Sequence, residues 1–274
     1  MRQGKIGVFD SGFGGLTILQ SIVRVVPNYS FIYFGDNARS PYGNKSFDVI
    51  YEYTLEGVDF LFNQGCELVI LACNTASAKA LRTIQQKDLP RIAPQKRVLG
   101  VIRPSTEEIA SYTRSGKIGI LGTEGTVNSS SYLLELAKIS PDLEVFQQAC
   151  PLWVPLIEER KYASPVGQMI ISNDVEQLFA MNQAIDTVLL ACTHYPIIKT
   201  MIEESVGNRA KIIEQGPLVA EKLQTYLVRH PEIETRLSLE GGVYFYTTER
   251  VDYFNQHASE IFGSSIIAQQ IQLI

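Results

Sequence analysis

Residues 71–77, LACNTAS, return in altered form as residues 190–196, LACTHYP. Each copy follows a short apolar run, residues 68–71 in the first and 188–190 in the second. Short apolar runs containing β-branched residues ahead of polar cap formers read as buried strands ending at helix N-termini. A second matched pair stands in the same order, GKIGVFDSG at 4–12 and GKIGILGTEG at 116–125. The two pairs are offset by 112 and 119 residues, which points to an internal duplication. The chain is therefore expected to fold as two similar α/β halves. Open α/β sheets bind ligands outside the carboxyl ends of their strands. Each repeat places a cysteine there, Cys73 in one half and Cys192 in the other. If the halves face each other, two thiols meet across one cleft.

At 274 residues the chain is long enough for two such lobes. Its hydrophobic content of 45% fits substantial cores. The net charge of −5 is spread along the sequence with no basic block, so nucleic acid is a poor partner. No apolar run approaches the ~18 residues of a membrane helix. The N-terminus passes from Met1-Arg2 almost directly into an apparent strand, which leaves no room for a signal peptide. The four cysteines, 66, 73, 150 and 192, form no C-x-x-C pair. Free thiols in a reducing, cytoplasmic setting are the expectation.

Residues 5–9 read as the first strand, running into Asp10-Ser11-Gly12-Phe13-Gly14-Gly15 and an amphipathic helix from Leu16. Such a glycine turn can present backbone N–H groups to an anion. It is no dinucleotide fingerprint, because Thr17 stands where the third glycine belongs, and no P-loop, lacking Gly-Lys-Ser/Thr. Asp10 would repel a phosphate. A carboxylate here suits an ammonium group or the positioning of a base; the plainer alternative is a turn former. The second strand, 30–34, leads to a Pro-x-Gly loop whose Tyr42 and Gly43 are candidates for substrate contact.

Asn74 or Thr75 can cap the helix after Cys73, and Thr193 the helix after Cys192, with His194 in its first turn. The polar stretch 87–96 reads as a lobe connection, and 98–102 as the start of the second lobe. Gly122 occupies the position matching Asp10, so the halves are not chemically equivalent. Further strands are expected at 143–146, 187–191, 211–213 and 242–247, with helices at 174–183, 218–230 and 251–262. Cys66 and Cys150 read as small buried hydrophobes and Trp153 as core.

Two cysteines at matched strand ends admit several readings. As metal ligands they are poor, since with His194 they make three groups and no fourth has recognisable spacing. A redox disulfide lacks a redox motif. Cys192 with His194 can form a nucleophile and its base, but Cys73 is then unexplained. Two acid/base groups on opposite faces of one carbon account for both. Both cysteines are expected at helix N-termini, where partial positive charge favours thiolate.

The segments GVFDSGFGGLTIL at 7–19, YFGDNARSPYGNKS at 33–46, LACNTASA at 71–78, ILGTEGTV at 120–127, ACPLWVPLIEE at 149–159 and LACTHYPII at 190–198 span most of the chain. In these the chain resembles the bacterial glutamate racemases of the cofactor-independent aspartate/glutamate racemase superfamily. Arg103 in GVIRPS and the segment EQGPLVA at 214–220 depart from the family pattern.

The resemblance implies two pseudo-symmetric, flavodoxin-like α/β lobes with mostly parallel sheets and the site between them. The first lobe would comprise 1–97 plus 211–274 and the second 98–210. It implies Cys73 and Cys192 as the proton-transfer groups, Asp10 and His194 as their assistants, and Glu158 as a further acidic site residue. Ser11, Tyr42, Gly43, Asn74, Thr75 and Thr193, together with Asp10 and His194, would contact the amino acid. It further implies no cofactor, no metal, a homodimer, and D-glutamate supplied to peptidoglycan synthesis. Aspartate racemisation is the near variant. A non-catalytic binding or regulatory protein on the same scaffold is the alternative of a different class.

Overall fold

A computed structural model describes residues 2–273. Among the described residues ten strands form two sheets, parallel throughout. The first contains β1 (Lys5–Asp10), β2 (Phe31–Gly35), β3 (Cys66–Leu71), β4 (Arg97–Gly100), β9 (Val243–Thr247) and β10 (Ala268–Gln270), in the order β10-β9-β2-β1-β3-β4. The second contains β5 (Lys117–Gly122), β6 (Glu144–Ala149), β7 (Thr187–Ala191) and β8 (Lys211–Ile213), in the order β6-β5-β7-β8. The order β2-β1-β3-β4 is thus repeated as β6-β5-β7-β8. The repeated sequences map onto equivalent strands, β1 with β5 and β3 with β7.

The central strands are apolar through their middles because both faces are covered. On one side of the first sheet, Ile6, Val8 and Leu68 pack with Leu19 of the helix Gly15–Val25 and Leu223 of the helix Gln215–Arg229. On the other, Phe9, Phe34 and Leu71 pack with Val58 and Leu61 of the helix Phe47–Asn63. The second sheet is sandwiched likewise, with Leu121, Val188 and Leu178 on one face and Ile120, Leu189 and Tyr132 on the other. Parallel pairing aligns the carboxyl ends of the central strands. Asp10 stands opposite Gly35, and Gly122 opposite Ala191.

The lobe crossings differ from the sequence expectation. Residues 97–100 pair with β3 and belong to the first sheet, while 211–213 pair with β7 and belong to the second. Each half needs its fourth strand to cover the edge of its third, so the chain crosses after that strand. The outgoing crossing falls at 101 and the return at 214. Residues 87–96 are not an open connection, since the backbone is helical through Ile92. The helix expected at 174–183 runs Pro165–Met181, capped by Ser164 Oγ accepting from the Gly167 N–H (3.1 Å) with proline in its first turn.

Candidate active site

Asp10, at the end of β1, is fully buried. One carboxylate oxygen accepts from the Gly12 N–H (3.0 Å), the other from Thr193 Oγ of the second lobe (3.1 Å). Burial raises its pKa above the ordinary carboxylate value, although charge on His194 and these donors pull the other way. The turn after it must be glycine-rich for steric reasons. A Cβ on Gly12 would sit 2.7 Å from Glu158 Oε1, and one on Gly14 2.4 Å from Thr193 Oγ1. The missing side chains let the two lobes approach each other here.

Cys73 follows β3 as the N-cap residue of the helix Asn74–Lys79, 6% exposed, with its sulfur 3.5 Å from Ser11 Oγ. Burial, reinforced by the Asp10 carboxylate, pushes its thiol up to about 12. The helix N-terminus therefore does not by itself make Cys73 a thiolate. The loss of solvation outweighs a partial charge of about half a unit.

Cys192 follows β7 and is also 6% exposed, and both thiols are free. The backbone after it forms a short 3-10 helix, Tyr195–Ile198, and Thr193 makes no cap bond to it. Thr193 reaches Asp10 instead. His194 Nδ1 lies 4.0 Å from Cys192 Sγ, and its Nε2 is 3.1 Å from Glu158 Oε1. Burial disfavours charge on the ring, but Cys192 and Glu158 outweigh it and hold the imidazolium well above its usual range. Glu158 ends the helix Trp153–Glu158 and also accepts from Ser40 Oγ of the other lobe (3.0 Å). Its neighbour Glu159 faces solvent beside Lys161, which separates the roles of the two.

The loop after β2 closes over the lobe boundary. The Gly43 carbonyl accepts from the Gly125 N–H (2.8 Å), and a Cβ at Gly43 would press on Thr123 at 2.9 Å. Thr75 Oγ1 lies 2.9 Å from Thr123 Oγ1 across the same boundary. Tyr42 lies within the first-lobe core, its hydroxyl donating to Asp36 (2.5 Å). Asn74 does not cap its helix. Its side-chain N–H donates to Gln215 Oε1 (2.5 Å), and its oxygen accepts from the Tyr132 hydroxyl (2.6 Å).

Asp10, Ser11 and Cys73 thus form one hydrogen-bonded and charged neighbourhood, and Cys192, His194 and Glu158 another. Thr193 bonds the second to the first. Sequence reading missed Ser40, Thr123, Tyr132 and Gln215. Of these, only Gln215 lay in a segment marked by its departure from the family pattern. The others are ordinary residues until packing brings them to the boundary. Among the described residues no cluster of His, Cys, Asp and Glu is arranged to hold a metal. No described helix is long and apolar enough to cross a membrane.

Residues 6–222 match the family model for Asp/Glu/hydantoin racemases. A glutamate racemase of Geobacter metallireducens is 39% identical over 95% of this chain and 93% of its own length. One from Streptococcus gordonii is 36% identical over the full length of both. The crystal structure of a glutamate racemase isoform from Bacillus anthracis superposes with a TM-score of 0.90 at 31% identity, covering 100% of this chain and 99% of its own. A Francisella tularensis glutamate racemase in complex with D-glutamate superposes at 0.86 and 30% identity, over 100% of this chain and 99% of its own. The chain belongs to the Asp/Glu/hydantoin racemase family.

Proposed function

We propose that the protein is a glutamate racemase that interconverts L-glutamate and D-glutamate with Cys73 and Cys192 as its two bases. The observation that carries this is the pair of buried strand-end thiols, each with its own polar partners, at the boundary between the lobes. An α-hydrogen is a very weak acid, so its removal demands a positioned base and stabilisation of the developing charge.

The two thiols are set for opposite tasks. Cys73, its thiol pushed up to about 12, holds its proton and serves as the acid. His194, held by Glu158, lies 4.0 Å from the Cys192 sulfur, and Cys192 serves as the base. A thiolate takes the α-proton from one face and becomes a thiol. The opposite thiol gives its proton to the other face and becomes a thiolate. The reverse reaction exchanges the roles. An amino group entering near Asp10 would meet the carboxylate that raises Cys73, which eases deprotonation of that thiol when it must act as base. Ser11, Tyr42, Gly43, Asn74, Thr75 and Thr193 would hold the amino acid, with backbone groups serving where side chains are already engaged. Tyr42 would act in this way, since its hydroxyl is committed to Asp36.

In this reading the enzyme needs no pyridoxal phosphate, works in the cytoplasm and supplies D-glutamate for peptidoglycan. A homodimer is the expected assembly, checked by sedimentation of the purified protein. The direct test is circular dichroism of L-glutamate and D-glutamate incubated separately with the protein, without pyridoxal phosphate. Both signals should decay to zero. A signal that persists from either enantiomer refutes the reading.

A further inference from the structure

Three buried side chains beside Cys73 close a ring of hydrogen bonds. Asn74 Nδ2 donates to Gln215 Oε1 (2.5 Å), Gln215 Nε2 donates to the Tyr132 hydroxyl (2.8 Å), and that hydroxyl donates to Asn74 Oδ1 (2.6 Å). The ring joins three elements. Asn74 opens the helix after β3, Tyr132 lies in the helix Ser131–Ile139, and Gln215 opens the helix Gln215–Arg229 just past the return crossing. Gln215 Nε2 also donates to Ser105 Oγ (2.8 Å) and lies 3.3 Å from the Val101 carbonyl, to which Ser105 Oγ donates (2.8 Å) at the outgoing crossing. The two segments that depart from the family pattern, around 103 and at 214–220, therefore meet at Gln215.

The donor directions in this network are forced. A backbone carbonyl only accepts, so the Gln215 atom 3.3 Å from the Val101 oxygen must be the nitrogen, and Ser105, whose hydrogen goes to that same carbonyl, accepts from it. Gln215 must then present its nitrogen to Ser105 and its oxygen to Asn74. Asn74 must present its nitrogen to Gln215 and its oxygen to Tyr132. A flipped Asn74 amide would set two acceptor oxygens against each other in a buried site, a costly arrangement. An amide has two hydrogens on nitrogen, so Asn74 keeps one beyond the bond to Gln215.

We infer that Gln215 is a positioning residue. It fixes the orientation of the Asn74 amide beside Cys73, using the Val101 carbonyl at the lobe crossing as reference. The consequence for turnover rests on the proposed role of Asn74 as a contact for the amino acid; the orientation itself does not.

The test is a double-mutant cycle of Gln215→Met and Asn74→Ala, with kcat/KM and Tm measured for all four proteins. Gln215→Met should lower kcat/KM about tenfold where Asn74 is present and no further where it is alanine, as expected when one positioned hydrogen bond is lost. Its effect on Tm should persist in both backgrounds. Equal effects on kcat/KM in both backgrounds, or none, would overturn the inference.

A second measurement needs no activity. The Asn74 side-chain amide signals in a ¹⁵N–¹H spectrum, identified by their loss in Asn74→Ala, should be protected from solvent exchange and lose that protection in Gln215→Met. Unchanged protection overturns the inference even if the protein racemises nothing, an outcome that would instead refute the proposed function. Should Gln215→Met fold poorly, Ser105→Ala removes only the directing hydroxyl. It should give a partial loss of the same protection, and none at all would overturn the inference.

Discussion

Gly14→Ala tests how tightly the lobe boundary holds the groups around Cys192. Gly14 has ordinary helical angles, φ −59° and ψ −35°, so alanine meets no backbone strain there. In open space the change would stabilise by about 0.5–1 kcal/mol through chain entropy. The space is not open. The new Cβ would lie 2.4 Å from Thr193 Oγ1, 2.5 Å from His194 Nδ1 and 2.7 Å from the His194 backbone nitrogen. Non-bonded contacts of this kind settle near 3.5 Å, so residues 193–194 must retreat by about 1 Å. Because one of the three atoms is backbone, a rotamer change cannot absorb the shift.

Such a shift breaks the 3.1 Å bond from Thr193 to Asp10 and moves His194 away from Cys192, whose sulfur is already 4.0 Å distant. A misplacement of about 1 Å costs roughly 100-fold in rate. Overpacking should cost about 1–3 kcal/mol, partly offset by the entropy gain, so the variant should fold. The assay is kcat and KM in both directions by circular dichroism, with Tm measured alongside. Gly122→Ala is the control, because its Cβ would meet nothing closer than 3.5 Å. A folded Gly14→Ala protein with kcat/KM within about threefold of wild type would refute the reasoning.

Cys73→Ser and Cys192→Ser should each abolish interconversion in both directions, since inversion needs a group on each face. Proton NMR in D₂O should show at most slow deuterium uptake into one enantiomer, opposite for the two variants; near-normal racemisation by either would exclude the two-base mechanism. Asp10→Asn should lower kcat about 100-fold, in the range of a lost acid–base assistant. Asp10 has a raised pKa, so its contribution to stability is present below the ordinary carboxylate value of 3.8 and is lost as pH rises through the folded value. The asparagine variant should therefore melt higher than wild type at neutral pH and converge with it near pH 4; a lower Tm at neutral pH would count against a costly buried carboxylate. Glu158→Gln should move the alkaline limb of the rate profile to lower pH, because the carboxylate helps keep His194 charged. The stability it removes is full below the ordinary imidazole value of 6.5 and fades as pH rises through the folded value. An unmoved limb would separate Glu158 from His194.

The repeated strand ends were legible in the sequence because they are local. An apolar run followed by a cap-forming residue marks a strand ending wherever it occurs, and the α/β rule places ligands at that end. Asp10, Cys73 and Cys192 could therefore be singled out, and the duplication anticipated the repeated strand order. The lobe crossings were misjudged because a short parallel strand reads alike whichever sheet it joins. Only pairing assigns 97–100 to the first sheet and 211–213 to the second.

The state of the site also belongs to tertiary structure. Both cysteines are equally placed in sequence, yet Cys73 is buried beside a carboxylate and Cys192 lies beside an imidazolium. Asp10 comes from a different strand, and Glu158, which holds the His194 ring beside Cys192, from a helix 36 residues away, so desolvation and partner charge are set by packing rather than by spacing. Gln215 is the clearest case, since nothing in EQGPLVA indicates that its amide lies against Asn74, 141 residues away. Hydrogen-bond direction is a property of a closed network, and the network exists only once both crossings and the Cys73 helix have come together.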